Sequence, residues 1–294
     1  MASTLKKPSF HAYLALGIGV LSLGFSAIFI RWADAPGIVS SFYRMAVAAV
    51  LLALPFFQQR YKRGGLPKRG VLLAIMGGLF FAGDMALWST GVTLGGATNP
   101  TLLANTAPVW VGVGALIFMR ERLSGMFWLG LFLALAGASV VLGLDSLREF
   151  ALGLGSFLGL LGGIFYGAYF LISQRGRQLL DSLSYFWLTV TSATLGLWLI
   201  TWAAGQPFGG YTRDTYLIFL AMGVVSQVIG WLAINYAQGY LPATVVSPTL
   251  LGQPLATAVL AFLLLGETFT WGQIAGGLVV LAGVFIVHWG RNTS

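Results

Sequence analysis

Ten apolar stretches, most of them long enough to cross a bilayer, fill almost all of the 294 residues, and this leaves the chain few folds to adopt. In lipid every backbone polar group must find its partner within the protein, and for separate runs of this length that means helices. The pattern predicts them at about 12–31, 37–57, 71–93, 98–119, 125–144, 152–173, 184–204, 215–237, 243–265 and 271–289. The fourth and fifth stretches reappear near the end of the chain. Ala97 to Leu142 matches Ala243 to His288 without a gap, each residue displaced by 146, and eleven of the 46 pairs are identical. Among these are Pro108/Pro254, Glu121/Glu267, Gly130/Gly276 and Gly137/Gly283. Shared composition alone would give roughly five identities, so the match is an internal duplication.

Five helices in each half turn the second copy over relative to the first. The expected fold is therefore an all-α membrane protein, ten transmembrane helices in two inverted five-helix repeats. The repeats are residues 1–144 and 152–294, joined by a connecting loop at 145–151.

Composition narrows the function classes. Charged residues make up 8% of the chain and hydrophobic residues 57%, from which no water-soluble surface can be built. The longest strongly polar stretch, about Gln58 to Gly70, is too short for a catalytic or nucleotide-binding module, and no GxxxxGK[ST] loop is present. Zero cysteines exclude disulfides and thiolate metal centres, and His11 and His288 lie near opposite chain ends, so no metal site is expected.

The net charge of +8 speaks for orientation, not for nucleic acid. With the amino terminus cytoplasmic, that side receives Lys6, Lys7, Arg60, Lys62, Arg63, Lys68, Arg69, Arg120, Arg122, Arg175, Arg177 and Arg291, against Arg31, Arg148 and Arg213 opposite. Twelve against three favours both termini inside, in a multi-pass protein of the plasma (inner) membrane. Lys6, Lys7 and the Ala33-Asp34-Ala35 triplet mimic a secretory signal, but Pro36 should block cleavage, and the first span is read as a mature helix.

Glycines supply the close backbone approach that helices in lipid need, notably Gly130, Gly137, Gly276 and Gly283 in helices five and ten and Gly159/Gly163 in helix six. Pro108 and Pro254 each remove a hydrogen bond inside helices four and nine and favour kinks there. Freed carbonyls persist only against protein or a wet cavity, which makes these helices candidates for cavity walls.

The two five-helix halves, the carboxylates Glu121 and Glu267 followed by Gly130 and Gly276, the Ala-Gly pairs 136/137 and 282/283, and Arg44 in helix two resemble the EamA-type family of the drug/metabolite transporter superfamily. The likeness covers essentially the whole chain. It implies a central cavity lined by helices one to four and six to nine, and a transporter of amino acids, metabolites or drugs. Within the family the chain looks most like an amino-acid exporter, of the aromatic type.

Asp84 is the only acidic residue well inside a predicted span, so it should be paired, protonated or facing water. Arg44 is the deep cation available for an ion pair; recognition of a substrate amine and proton coupling are the other roles open to Asp84. Helix three places Asp84 and Trp88 on one face, and helix eight places Gln227, Trp231 and Asn235 at i, i+4 and i+8. Amides facing lipid are costly, so that stripe should look inward. Asn105 and Thr101 on helix four, Tyr166 and Tyr169 on helix six, Ser247 and Gln253 on helix nine, and Ser22 and Ser26 on helix one complete the polar candidates. Glu121 and Glu267 each stand three residues before Ser124 or Thr270 at a helix start, a place suited to anchoring rather than chemistry.

The expected function is a secondary transporter exporting small amphipathic metabolites, amino acids first, by alternating access, with no bound cofactor and no enzymatic activity. Its partners are the substrate and the lipid bilayer, and a monomer would suffice. A multidrug exporter of cationic compounds is the alternative. An intramembrane enzyme is the competing class, unsupported by any HExxH or paired mid-span aspartates.

Overall fold

The computed structural model describes residues 9–96, 98–143 and 153–292. The expected connector and Lys6, Lys7 and Arg148 lie outside the described residues. Ten helices are long and apolar enough to cross a membrane: α1 (Phe10–Trp32), α2 (Gly37–Arg63), α3 (Lys68–Gly95), α4 (Asn99–Met119), α5 (Gly125–Leu142), α6 (Leu154–Leu179), α7 (Ser182–Ala203), α8 (Arg213–Ala237), α9 (Ala243–Leu265) and α10 (Trp271–Gly290). Among the described residues there is no strand. α2 and α6 run past their apolar stretches into Arg60, Lys62, Arg63 and Arg177, where positive side chains oppose the negative helix ends.

Contacts divide the chain into two compact units, Met1–Ala86 with Ile172–Pro242, and Leu87–Leu171 with Ala243–Ser294. Each unit draws on both sequence halves.

In the first unit α7 is tied to α3 by hydroxyls: Thr189 Oγ1 donates to the Ala74 carbonyl and Ser192 Oγ to that of Ile75, both at 3.3 Å. α1 meets α8 where a β-carbon at Gly230 would lie 2.9 Å from Ser22 Cβ, and Ser226 Oγ donates to the Ser22 carbonyl. Between α2 and α8 Tyr43 stacks on Phe219 at 4.6 Å, and it donates its hydroxyl to the Phe208 carbonyl in the loop before α8. Arg60 pairs with Asp181 at 3.2 Å, joining the end of α2 to the cap of α7.

The second unit contains the seam between α5 and α10. A β-carbon at Gly130 would lie 2.7 Å from the Gly283 carbonyl oxygen, and one at Gly137 would lie 2.6 Å from that of Gly276. Numbers rise along one helix as they fall along the other, so the helices run antiparallel. The 146-residue shift carries Gly130 to Gly276 and Gly137 to Gly283, and so maps this pair of contacts onto itself. Only a two-fold axis across the helices does that, which is the inverted repeat read from geometry. Around the seam Phe127, Leu131, Ala134, Ala138, Leu251, Val280 and Val287 form a core.

The ends of α4 and α9 repeat in the same detail. Arg120 (φ 55) and Gly266 (φ 67), one shift apart, both turn left-handed, and their backbone N–H groups close on the carbonyls of Ala115 and Ala261. α6 lays Gly155, Gly159, Gly163 and Gly167 along the end of α3 and the start of α4. β-carbons at Gly155 and Gly163 would lie 2.7 Å from the Gly91 oxygen and 2.8 Å from the Leu103 oxygen. Large apolar side chains face outward, among them Val50 (74% exposed) and Phe285 (66%), as a lipid-facing surface requires.

Candidate functional site

The predicted site residues fall into two sets, one in each unit. The first unit holds Arg44, Asp84, Gln227, Trp231 and Asn235, all buried. Gln227 and Asn235 are 0% exposed and Trp231 only 3%, so this stripe of α8 does look into protein. Its winding differs from a simple wheel: Met222–Trp231 is a π-helix between α-helical segments, a geometry that recurs at functional sites because it redirects side chains.

Trp231 meets Phe81 edge-on, ring centroids 4.7 Å apart. Gln227 Nε2 donates to Met45 Sδ at 3.0 Å, while its Oε1 has no hydrogen-bond partner among the described residues. Arg44 Nη2 donates to Met85 Sδ at 3.0 Å. Asp84 precedes Met85, and the charge of Arg44 acts on its carboxyl.

Arg177 was not singled out by the sequence beyond its charge. It donates from Nε to the main-chain oxygen of Asn235 at 2.7 Å and from Nη1 to that of Leu180, so one guanidinium joins α8 to the end of α6. Its spacing from Ser173, four residues earlier on the same helix, was the available signal that it faces inward.

In the second unit Trp88 donates its indole N–H to Thr101 Oγ1 at 3.0 Å, joining the end of α3 to α4. Asn105, half-buried, stands where α4 breaks: helix ends at Ala104 and resumes at Ala107, with Pro108 in its first turn. The equivalent stretch of α9 narrows to a 3₁₀ turn, Leu250–Gly252, before Gln253 and Pro254 resume the α-helix. The two prolines thus start new helical segments, where a missing N–H costs nothing, instead of kinking continuous ones.

Tyr166 lies parallel to Tyr169 at 6.4 Å and tilted to Phe170 at 4.8 Å. Ser247 is buried and donates to the Ala243 carbonyl at 2.8 Å, one turn back on its own helix.

The two glutamates differ. Glu121 Oε2 accepts from Thr244 Oγ1 at 3.2 Å, reaching the start of α9, and the cap of α5 is filled by Ser124, which accepts from the Phe127 N–H. Glu267 is exposed, and α10 opens with a reciprocal cap between Thr270 and Gln273.

The sequence profile of the EamA-like transporter family matches residues 11–143 and 153–289. An uncharacterized transporter of Archaeoglobus fulgidus is 25% identical over 285 residues, 94% of this chain and 96% of its own length. A second from the same organism is 27% identical over 276 residues, 92% and 94% of the two chains. The uncharacterized transporter YdfC of Bacillus subtilis is 22% identical over 222 residues, 73% of this chain and 70% of its own. A solved crystal structure shares the fold with a TM-score of 0.78, covering 95% of this chain and 98% of its own at 16% identity. Matched once in each half, with ten membrane-crossing helices and a self-mapping antiparallel seam, this multi-pass membrane protein belongs to the EamA-like transporter family.

Proposed function

We propose that the chain exports small amphipathic metabolites, amino acids first among them and those with aromatic side chains in particular, by alternating access. The observation that carries this reading is the buried set in the first unit: a carboxyl, Asp84, and two amides, Gln227 and Asn235, are withdrawn from the surface there together with the Trp231 indole. Charged and amide groups are costly in an apolar protein unless they work, and an aromatic zwitterion matches both the polar groups and the ring. Trp88, Asn105, Tyr166, Ser247 and Gln253 are proposed as further substrate contacts, with Arg44, Glu121, Glu267, Pro108 and Pro254 as supports.

The test is purified protein in liposomes offered a panel of labelled amino acids. Uptake or exchange of one of them is expected, reduced by Trp231→Ala and Asn235→Ala in folded protein. Asp84→Asn compared with and without a pH gradient separates proton coupling from recognition. Asp84, a buried carboxyl, favours one second reading, export of cationic compounds; movement of cationic dyes without any amino acid would establish it instead.

The repeats 1–144 and 152–294 are proposed to sit in the plasma membrane with both termini cytoplasmic, on the strength of the charge asymmetry. A chain without cysteine suits single-cysteine labelling. Arg63→Cys should resist impermeant reagent added outside cells, and Gly209→Cys should react; the reverse pattern overturns the orientation.

A further inference from the structure

The turn between α2 and α3 gathers cations at one end of the first unit with no acid left to answer them. Lys62 and Arg63 close α2 and Lys68 and Arg69 open α3, all of them exposed. Among the described residues none of these has an ion-pair partner. Asp181, the one acid of the unit at this end, is taken by Arg60 and by the cap of α7. Asp34 and Asp214 lie at the opposite end, where Tyr43 of α2 stacks on Phe219 of α8, and Asp84 lies within α3. The turn is nonetheless fixed. Gly64 takes φ 78 and donates its N–H to the Arg60 carbonyl at 2.8 Å, and the Pro67 carbonyl accepts from Gly70 and Val71. Leu66 packs on the cluster of Ala74, Leu180 and Tyr185. Like charges are thus held close together against their own repulsion, which a bound anion relieves.

The neighbouring face of α2 says what kind of anion. Val50, Leu54, Phe57 and Tyr61 recur at i, i+4, i+7 and i+11, and each is more exposed than buried, so an apolar stripe bare of protein runs up to the cations. The apolar run stops at Phe57, and Gln58–Arg63 carries the helix roughly 9 Å further, into the headgroup layer of a bilayer. Tyr61 stands there as aromatic residues do at a membrane interface. We propose that the α2–α3 turn binds an anionic phospholipid, its acyl chain along Val50, Leu54 and Phe57 and its phosphate among Lys62, Arg63, Lys68 and Arg69. The long basic side chains lay their stems on apolar surface and reach the phosphate with their charged ends. A zwitterionic lipid offers the same chain but brings its own cation to the cluster, and a soluble phosphate forgoes the stripe. The assignment depends neither on the exported substrate nor on which side of the membrane this end faces.

The experiment is native mass spectrometry of the purified full chain, delipidated in detergent and titrated with phosphatidylglycerol or with phosphatidylcholine of identical acyl chains. The first phosphatidylglycerol should bind at about tenfold lower concentration than the first phosphatidylcholine, and the preference should shrink as ionic strength rises. Lys62→Gln, Arg63→Gln, Lys68→Gln and Arg69→Gln combined should erase the preference and leave phosphatidylcholine where it was. Arg31→Gln with Arg213→Gln, at the opposite end, should leave the preference intact. Equal binding of the two lipids by the natural sequence, or an opposite-end variant that loses the preference as fully as the turn variant, overturns the site. Removing so many positive charges can disturb membrane insertion. If the combined variant is not recovered folded, Lys68→Gln with Arg69→Gln decides: the preference should fall to about threefold, and an unchanged one overturns the site.

Glycerol 3-phosphate separates a lipid from a free phosphate. It carries the head without the chains, so phosphatidylglycerol should stay bound in the presence of about a hundredfold excess of it. Displacement would make the turn a site for soluble phosphates and overturn the lipid assignment.

Discussion

Arg177 donates from Nε to the main-chain oxygen of Asn235 at 2.7 Å, and the same guanidinium donates to Leu180. These oxygens lie in the last turn of α8 and just past the end of α6, where carbonyls lack intrahelical partners and carry partial negative charge. A lysine has one compact ammonium and cannot span both. Arg177→Lys should lower stability by about 1–3 kcal/mol, read from thermal unfolding in detergent, and Arg177→Met should lower it further. An unchanged midpoint would show that the fork holds nothing.

The left-handed ends of α4 and α9 give a paired prediction. Arg120 adopts φ 55 with a full side chain, whereas Gly266 takes the equivalent φ 67 with none. Arg120→Gly should stabilise by about 0.5–1 kcal/mol and Gly266→Ala should destabilise by a similar amount, because only glycine enters that region without steric cost. Unfolding midpoints that move in the same direction would contradict the shared geometry.

The seam between α5 and α10 leaves no room for a side chain. At Gly137 a β-carbon would meet both the Gly276 oxygen and the Val280 nitrogen at 2.6 Å, so Gly137→Val forces the helices apart. A loss of about 1–3 kcal/mol is expected, as for overpacked cores generally. Gly125 is the control: a β-carbon there has nothing within 4 Å, and Gly125→Ala should stay within about 0.5 kcal/mol.

Asp181 ties stability to pH. Burial pushes its carboxyl up, but hydrogen bonds from the Ser184 N–H and hydroxyl and from Gln59, with the charge of Arg60, prevail and hold it below the usual carboxylate range. A carboxyl lower in the folded than in the unfolded state stabilises the fold above its unfolded value of about 4, and that contribution fades as pH falls through the folded value. Asp181→Asn keeps an acceptor for the cap but not the charge. The stability gap between it and the natural sequence should be constant above about pH 5 and close on acidification. A gap independent of pH would remove Asp181 as its source.

The ten helices, the inward stripe of α8 and the special places of Pro108 and Pro254 were legible because each leaves a local or repeating mark. Apolar runs declare spans, amides cannot face lipid, and a residue shift of 146 exposes what the halves share. The π winding of Met222–Trp231 left no such mark: one extra residue per turn shows only where polar and apolar residues alternate, and α8 has a mean hydropathy of 2.2. Arg177 hid among the charges counted for orientation, since the positive-inside pattern counts a cation without asking what it holds. The sulfur contacts of Arg44 and Gln227 join α2 to α3 and α8, and the Glu121 bond to Thr244 spans 123 residues. Pairings over that distance have no periodicity to betray them. Nor does sequence order show that Asp84 and Trp88, one turn apart on α3, belong to different compact units.

A five-helix polypeptide bearing only Gly130 and Gly137 already owns both sides of the α5–α10 crossing, for its Gly130 would face the Gly137 of a second, upside-down copy. Such a half needs no fused companion to find a mate. The covalent link therefore adds permanence and the freedom for the halves to diverge, as Arg120 has from Gly266, while the attraction between halves is of the kind that joins separate subunits.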